Sequence, residues 1–372
     1  MYLAQPYFTL SPPKTQISPQ LTEKQFNVTI WFMDIDQLRQ FLKDSSQPKF
    51  RFGQILNYYF TKNASSWLDF SIISKDLRQS LQDNVGFSSV KIKDIAKSKY
   101  AEKLAFELID SGNIVEAVII KNKDDKNTVC LSCQSGCALG CKFCASGAMG
   151  FQKNMTAEQI IDQLREVNSY LKSTNESVNN IVFMGMGEPF MNYDEVKKAI
   201  DSIHNLMDIG WRRISVSTCG IPAKILEFGR DFPQVNLAIS LHAAGDKKRS
   251  FLMPINGKYP LKTLMKTCEK YVNATRRKLF FEYIVIPGFN DSLEDAKKLN
   301  SLLSHPLYHL NIIKFHATDI VADKNKINWH STTENEMNAF EKLLENQRIK
   351  FTVRKSFGQG IQAACGMLAH KI

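Results

Sequence analysis

Apolar residues along this chain recur first at helical spacing, then at strand spacing, and then in an alternation of the two. From Asp34 to about Val85 the pattern is helical: Leu38, Phe41 and Leu42 share a face, and Phe52, Ile55, Leu56 and Tyr59 share another. A short helix is predicted over Lys75–Leu81. Between Lys91 and Cys133 strand-forming runs take over, at Lys103–Ile109, Ile114–Lys121 and Thr128–Cys133, and the polar turn Lys121–Asn127 predicts a hairpin between the last two. Thr156 then reads as a helix N-cap, with Gln159 three residues on and Ile160, Leu164, Val167 and Leu171 as the apolar face. Strands are predicted at Asn180–Met184, Arg213–Ser217, Val235–Ser240, Leu279–Ile286, Leu310–Phe315 and Lys350–Arg354. Helices fit between them at Tyr193–Met207, Leu261–Val272, Ser292–Leu303 and Thr333–Glu345.

Strand-then-helix units in series predict an α/β fold with a parallel sheet and helices on its outer face. About six units predict an incomplete (βα)6 barrel whose ligands sit at the carboxyl ends of the strands. Pro6, Pro12, Pro13 and Pro19 among polar residues make 1–33 an irregular arm. Residues 34–98 form a small helical accessory domain, and 99–372 the barrel with its preceding strand extension and a C-terminal loop.

At 372 residues the chain exceeds what one core usually organises, consistent with this division. No apolar run approaches the ~20 residues that span a bilayer, and the N-terminus does not read as a signal peptide, so a cytoplasmic location is expected. Basic residues outnumber acidic ones 48 to 37, a formal charge of +11. That suits a polyanionic partner, although many basic proteins touch no nucleic acid.

Five of the eight cysteines fall between Cys130 and Cys144, a layout that points to metal or redox chemistry and not to a disulfide scaffold. Cys137-Ala-Leu-Gly-Cys141-Lys-Phe-Cys144 puts three thiols on one short loop after a strand, able to wrap a [4Fe–4S] cluster and leave one iron open. Zinc with Cys133 as fourth ligand is the competing reading. Met184-Gly-Met-Gly187-Glu188-Pro189 follows the next strand. Its glycines allow a backbone to approach a ligand and its carboxylate can accept from a ribose or an amine, or it is simply a turn that starts a helix. Ser217-Thr-Cys-Gly220 and Ser240-Leu241-His242-Ala243 end later strands in the same way, and three polar strand ends on one rim read as a cofactor site.

The C-x-x-x-C-x-x-C spacing with an aromatic before the last Cys resembles the radical S-adenosylmethionine (SAM) superfamily. With Cys130, the Gly187-Glu188 pair, Ser217, Ser240-Leu241-His242 and the ending Ala363-Ala-Cys365-Gly366, the chain from about residue 35 resembles the RlmN/Cfr family of RNA adenosine methyltransferases. The resemblance implies an RNA-binding role for the helical domain and 23S ribosomal RNA or transfer RNA as partner. It also implies a cluster on Cys137, Cys141 and Cys144, and two SAM molecules per turnover. One SAM methylates Cys365; a second, cleaved by an electron from a donor such as flavodoxin or ferredoxin, generates a radical on that methyl group. The methyl carbon adds to carbon 2 or carbon 8 of adenine, and Cys130 releases the product by forming a disulfide with Cys365. Glu116 matches the family's proton acceptor, and Gly187, Glu188, Ser217, Ser240, Leu241 and His242 its SAM contacts.

Some positions depart from the pattern. His316 stands where the family has a SAM-binding Asn, Gly360 replaces an Asp, the turn after Ser217-Thr218 is one residue shorter than the family's, and the Glu116–Cys130 spacing is one residue longer. The basic runs Arg212-Arg213, Lys247-Lys248-Arg249 and Arg276-Arg277-Lys278 are candidates for an RNA-binding rim. Monomer is the expected state. A radical SAM activase of another class and a non-enzymatic zinc or RNA-binding module are the alternatives.

Overall fold

The computed structural model describes residues 35–62, 64–121, 126–355 and 357–369. The expected arm over 1–33 and the tip of the expected hairpin turn, 122–125, lie outside the described residues, as does Ser356.

Helices α1 (Ile35–Asp44), α2 (Phe50–Thr61) and α3 (Lys75–Asn84) occupy the predicted helical stretch. Ser74 caps α3 by accepting from Leu77 N–H at 3.2 Å. Tyr59, Trp67 and Phe70 are buried together with Phe87 packed among them, and the Trp67 indole donates to Val85 O at 2.7 Å. Strands β1 (Val90–Lys97), β2 (Ala101–Leu108) and β3 (Ile114–Lys121) form an antiparallel meander, and β4 (Asn127–Cys130) closes the predicted hairpin with Cys130 opposite Val118.

From β4 onward the sheet is parallel. A short ribbon, β5 (Gln134–Gly136) with β6 (Phe151–Asn154), brackets helix α4 (Ala145–Met149). Then come α5 (Ala157–Lys172), β7 (Val178–Phe183), α6 (Tyr193–Met207), β8 (Ile214–Thr218), α7 (Pro222–Asp231) and β9 (Asn236–Ser240). The chain continues through α8 (Asp246–Leu252), α9 (Leu261–Thr275), β10 (Leu279–Val285), α10 (Leu293–Leu302) and β11 (Tyr308–Lys314), and ends with α11 (Asp319–Asn325), α12 (Glu334–Asn346) and β12 (Phe351–Val353). Among the described residues the main sheet has ten strands in the order β1-β2-β3-β4-β7-β8-β9-β10-β11-β12, with no pairing that closes it. Its six parallel strands β4 and β7–β11 are the expected open (βα)6 barrel, β12 is a seventh parallel strand, and β1–β3 extend it on the other edge.

Thr156 caps α5 as its sequence predicts, exchanging bonds with Gln159 in both directions. Helix α5 buries polar residues as well as its apolar face, because it lies between the sheet and the helical region. Asp162 Oδ1 accepts from the Tyr59 hydroxyl at 2.8 Å and from Arg165 Nη1 at 2.8 Å, and Oδ2 accepts from Ser89 N–H at 2.7 Å. The Arg165 guanidinium lies 3.9 Å from the Tyr59 ring centre and 4.6 Å from that of Phe87. Strand β1 and helices α7, α8 and α11 are absent from the sequence-based expectation. In α7 the apolar period is interrupted by Gly229, where a Cβ would meet Tyr271 of α9 at 2.9 Å; α8 and α11 are seven residues each, too short for a period to register.

Candidate active site

The cluster loop leaves β5 through Gly136 (φ +71°), where an added Cβ would lie 1.8 Å from Gly150 O. It turns again at Gly140 (φ +59°) and ends with Cys144 at the N-terminus of α4. Its backbone is tied down by Cys137 N–H to Gly150 O at 3.0 Å, Cys144 N–H to Cys141 O at 3.1 Å and Lys142 N–H to Leu252 O at 2.9 Å. Cys137, Cys141 and Cys144 all line one cavity of about 150 Å3 at the carboxyl ends of the parallel strands. Burial pushes the Cys137 thiol up to about 12, and raises Cys141 and Cys144, each of the two also next to a partner thiol or backbone donors. Without a metal these are neutral thiols at physiological pH.

The same cavity is lined by Gly187, Glu188, Ser217, Ser240 and His242, so five of the predicted strand-end residues meet there. Glu188 is buried, and burial raises its carboxyl; the Thr218 hydroxyl at 2.6 Å, Cys219 N–H at 2.8 Å and Phe190 N–H at 3.0 Å oppose this. Most of its accepting capacity is therefore spent inside the protein. Gly187 (φ +98°) is needed for a reason beyond ligand approach: an added Cβ would lie 2.5 Å from Gln134 Cβ. Gln134 Oε1 in turn accepts from Glu188 N–H at 2.8 Å. The hydroxyls of Ser217 and Ser240 are 3.4 Å apart. His242 is buried with φ +53°, and its Nδ1 accepts from Ile284 N–H at 3.0 Å, which leaves the proton on Nε2. Burial, then the Arg249 charge, depress it to about 3, so the ring is a neutral donor.

Cys365 joins these residues from the far end of the chain. Its loop is docked on the cluster loop: Ala145 N–H donates to Gly366 O at 2.8 Å, and the Ser146 hydroxyl to Leu368 O at 2.7 Å. Gly366 (φ +79°) faces Phe143 O, 3.3 Å from where a Cβ would stand. The flanking Ala363, Ala364, Met367 and Leu368 are buried, while Cys365 is exposed and lines the cavity. The C-terminal loop is thus tied to the cluster loop just after its cysteine.

Four other predicted residues stand off the cavity wall. Cys130, at the end of β4, is buried; burial first and the Cys365 charge second push it up to about 12. Both are free thiols. Glu116 shares the β3 face of Val118, which pairs with Cys130, and is fully buried. Lys103 Nζ, 2.8 Å from Oε1, is its charge partner, and neither oxygen accepts a well-formed hydrogen bond. Leu241 is core. His316 is buried with Nε2 3.3 Å from Gln359 Nε2, bracing the turn that leads to Cys365.

The structure also adds residues that the sequence pattern did not single out. Glu282 of β10 and Arg354 line the cavity, 3.6 Å apart, and Asn311 Nδ2 donates to Glu282 Oε1 at 2.9 Å. An acid inside the apolar run Phe280-Phe281-Glu282-Tyr283-Ile284 was the available signal. Of the basic runs, Arg212-Arg213 precede β8 and Arg276–Lys278 precede β10, so they stand at the amino ends of the strands, opposite the cavity. Arg249 is buried, which removes it from the expected RNA rim, while Lys248 pairs with Asp295 and stays partly exposed.

The donor set fits a [4Fe–4S] cluster. Cys137, Cys141 and Cys144 line the cavity from one loop, and Cys133, the expected fourth zinc ligand, is off the wall with its Sγ turned to Met186 O at 3.7 Å. Cys137, Cys141 and Cys144 are the residues that would hold the cluster. An open (βα)6 barrel with a three-thiol loop after its first strand defines a radical SAM enzyme, and the model of the Radical SAM superfamily matches residues 131–299. Over 343 residues, 91% of this chain and 97% of the relative, the sequence is 38% identical to "Probable dual-specificity RNA methyltransferase RlmN" of Thermoanaerobacter sp. (strain X514). It is 37% identical to "Ribosomal RNA large subunit methyltransferase Cfr" of Staphylococcus aureus, covering 89% of this chain and 95% of that one. The crystal structure of a radical SAM methyltransferase from Sphaerobacter thermophilus superposes with a TM-score of 0.82 at 35% identity, covering 90% and 97% of the two chains. The chain belongs to the RlmN/Cfr family of radical SAM methyltransferases.

Proposed function

We propose that this protein methylates an adenine carbon of ribosomal or transfer RNA, in the cytoplasm, through a methyl group carried on Cys365. The carrying observation is that Cys365, 221 residues after Cys144 in sequence, opens into the cavity that holds the three cluster thiols. When bound, the cluster and SAM supply one-electron chemistry that side chains cannot perform, and two SAM molecules are consumed per turnover. Cys365 first acts as a nucleophile, taking a methyl group from SAM and giving up its thiol proton. Burial raises the Cys365 thiol and the Arg354 guanidinium opposes this, favouring the thiolate that attacks. After the methyl carbon has bonded to the base, the adduct loses one electron to the cofactor centre and one proton to Glu116. Cys130, giving up its thiol proton, then attacks the Cys365 sulfur and breaks its bond to the methyl carbon, which takes up a proton to become the product methyl group. The Cys130–Cys365 disulfide is reopened by an external reductant. The free Cys130 and Cys365 thiols, close enough to feel each other's charge, support this order.

The rim supports an RNA occupant. Phe251 of α8, Phe289 and Trp329, on the segments that follow β9, β10 and β11, cluster together, with Phe251 41% exposed and Lys142 Nζ 4.0 Å from its ring centre. Exposed rings with a cation beside a reaction cavity suit unstacked bases and their phosphates. The test is anaerobic reconstitution with iron and sulfide, then incubation with methyl-labelled SAM, a low-potential reductant and unmethylated RNA. Label on adenine that disappears in Cys365→Ala is the expected result, and the isomer distinguishes carbon 2 from carbon 8. Label that reaches RNA equally in Cys365→Ala would sink the proposal.

A further inference from the structure

Strand alternation decides which residues of β2, β3 and β4 share a face. Ala105 stands opposite Glu116, Lys103 opposite Val118, and Val118 opposite Cys130, so Lys103, Glu116 and Cys130 lie on one side of the sheet. The other side belongs to α5, whose Tyr170 hydroxyl donates to Glu102. The C-terminal segment rests on the first side. Gly358 is wedged between Ala101, two residues before Lys103, and Ala363, two residues before Cys365: an added Cβ would lie 3.1 Å from the one and 2.8 Å from the other. Glu116 is therefore on the face that carries Cys130 and supports the Cys365 loop.

Glu116 is fully buried, and among the described residues its ion-pair partner is Lys103, with Nζ 2.8 Å from Oε1. Neither carboxylate oxygen accepts a well-formed hydrogen bond. Such a pair is a poor staple, because the cost of desolvating two charges is repaid only when the remaining lone pairs are satisfied as well. Asp162 shows the contrast, its two oxygens accepting from Tyr59, Arg165 and Ser89. At Glu116 one oxygen meets a cation and Oε2 is left without a partner.

We propose that Lys103 is the positioning residue of the proton-transfer step: its ammonium holds Oε1 and offsets the charge of Glu116, leaving Oε2 to take the proton that leaves the target carbon of adenine. The inference rests on the methyl-transfer reading, with Glu116 as proton acceptor. The step moves one proton from carbon to oxygen; the electron pair of the C–H bond stays in the ring and restores its aromaticity, and Lys103 keeps its own protons. A carboxylate in this surrounding is costly without a cation beside it, so a neutral side chain at position 103 deprives the step of its acceptor. Methylation of Cys365 comes earlier and does not use either residue.

The test compares wild type, Lys103→Met, Glu116→Gln and the double variant, each reconstituted anaerobically and given methyl-labelled SAM, a low-potential reductant and unmethylated RNA. The RNA is either ordinary or deuterated at adenine carbons 2 and 8. Single-turnover formation of methyladenosine is timed, methyl label on Cys365 is measured by protein mass spectrometry, and the cluster-free proteins are melted to confirm folding. Lys103→Met is expected to keep wild-type label on Cys365 and to form methyladenosine roughly 100-fold more slowly, the lower end of what a positioned base contributes. Its hydrogen-over-deuterium rate ratio should exceed that of wild type, because proton loss has become slow. Glu116→Gln should behave alike, and the double variant should be no slower than Glu116→Gln, since Lys103 acts through that side chain. A folded Lys103→Met with the wild-type rate and isotope ratio overturns the proposal; Glu116 stands as acceptor if Glu116→Gln is slow in the same experiment. Equal losses of Cys365 label and methyladenosine, with an unchanged isotope ratio, mark a structural role and also overturn it. Wild-type behaviour of Glu116→Gln removes the acceptor and this proposal together. If Lys103→Met does not fold, the double variant, in which neither charge is buried alone, decides: the rate of Glu116→Gln supports the proposal, and a further multiplied loss overturns it.

Discussion

Two residues in the cavity wall show how a single position is constrained by backbone and charge together. Gly187 combines φ +98° with a Cβ direction blocked by Gln134 at 2.5 Å. Gly187→Ala must either strain its backbone or push β5 away, at a cost of about 1–3 kcal/mol. We expect a lower Tm and weaker SAM binding, read by thermal unfolding and equilibrium binding of labelled SAM. His242 is held neutral, with its affinity for protons depressed from 6.5 to about 3. A base depressed on folding binds protons more readily in the unfolded chain between those values, so its contribution to stability is full above about 6.5 and is lost as pH falls toward 3. The slope is at most about 1.4 kcal/mol per pH unit. Denaturant unfolding of wild type from pH 7 to pH 5 should show this loss, and His242→Asn should show a flatter pH dependence; equal slopes would mean that His242 is not the titrating group.

Elements are joined here by polar contacts as much as by apolar ones. The Tyr59–Asp162–Arg165 network fastens the helical region to α5, and both charged members are at most 1% exposed. Removing one partner leaves the other charge buried alone, so Asp162→Ala should destabilise by about 3–5 kcal/mol. The double replacement Asp162→Leu with Arg165→Met should cost less than the sum of the single changes, a comparison that urea unfolding makes directly. The C-terminal loop is held to α4 by backbone bonds at Ala145 and a hydroxyl bond at Ser146. Gly366→Val would force a side chain against Phe143 O from a left-handed backbone. Cluster absorbance should persist while methyl label on Cys365 falls at least tenfold, since a small displacement of a reacting atom is enough for about a 100-fold loss; label at the wild-type level would show that the loop position tolerates movement.

At the scale of the whole molecule, the parallel strands give the protein a reactive end and an inert end. Basic residues stand at both ends. Lys142 adjoins Cys141 and Phe251 comes two residues before Met253, both of the cavity lining, whereas Arg212 and Arg276 stand at the opposite ends of their strands. Phe251→Ala should weaken RNA binding by roughly 5- to 150-fold, the equivalent of about 1–3 kcal/mol per stacked base. Lys142→Ala should weaken it with a shallower salt dependence, as one phosphate contact is lost. Arg212→Ala and Arg276→Ala should leave affinity nearly unchanged. Filter binding at several salt concentrations distinguishes these patterns, and a larger loss for Arg212→Ala than for Phe251→Ala would place RNA on the wrong end of the barrel.

Periodicity and spacing alone determined the order and nature of most elements. The helix Tyr193–Met207 and the strand Ile114–Lys121 have the bounds that their apolar spacing predicts, and Thr156 caps α5 through the partner three residues on. These features depend on neighbours within a few positions, and the three-thiol loop is legible for the same reason. Motif spacing also named the cavity residues at Gly187, Glu188, Ser217, Ser240 and His242. What it could not carry was direction and depth. Arg249 belonged to a basic run and is buried behind the cavity; Arg212 and Arg276 looked alike and stand at the far end; Glu282 was one residue in an apolar strand and faces the site. Whether a charge is sunk in the barrel or solvated, and whether Cys365 reaches Cys144, depends on strands and loops far apart in sequence packing side by side. Those contacts are decided only by the tertiary structure, because burial and field are properties of all the neighbours in space.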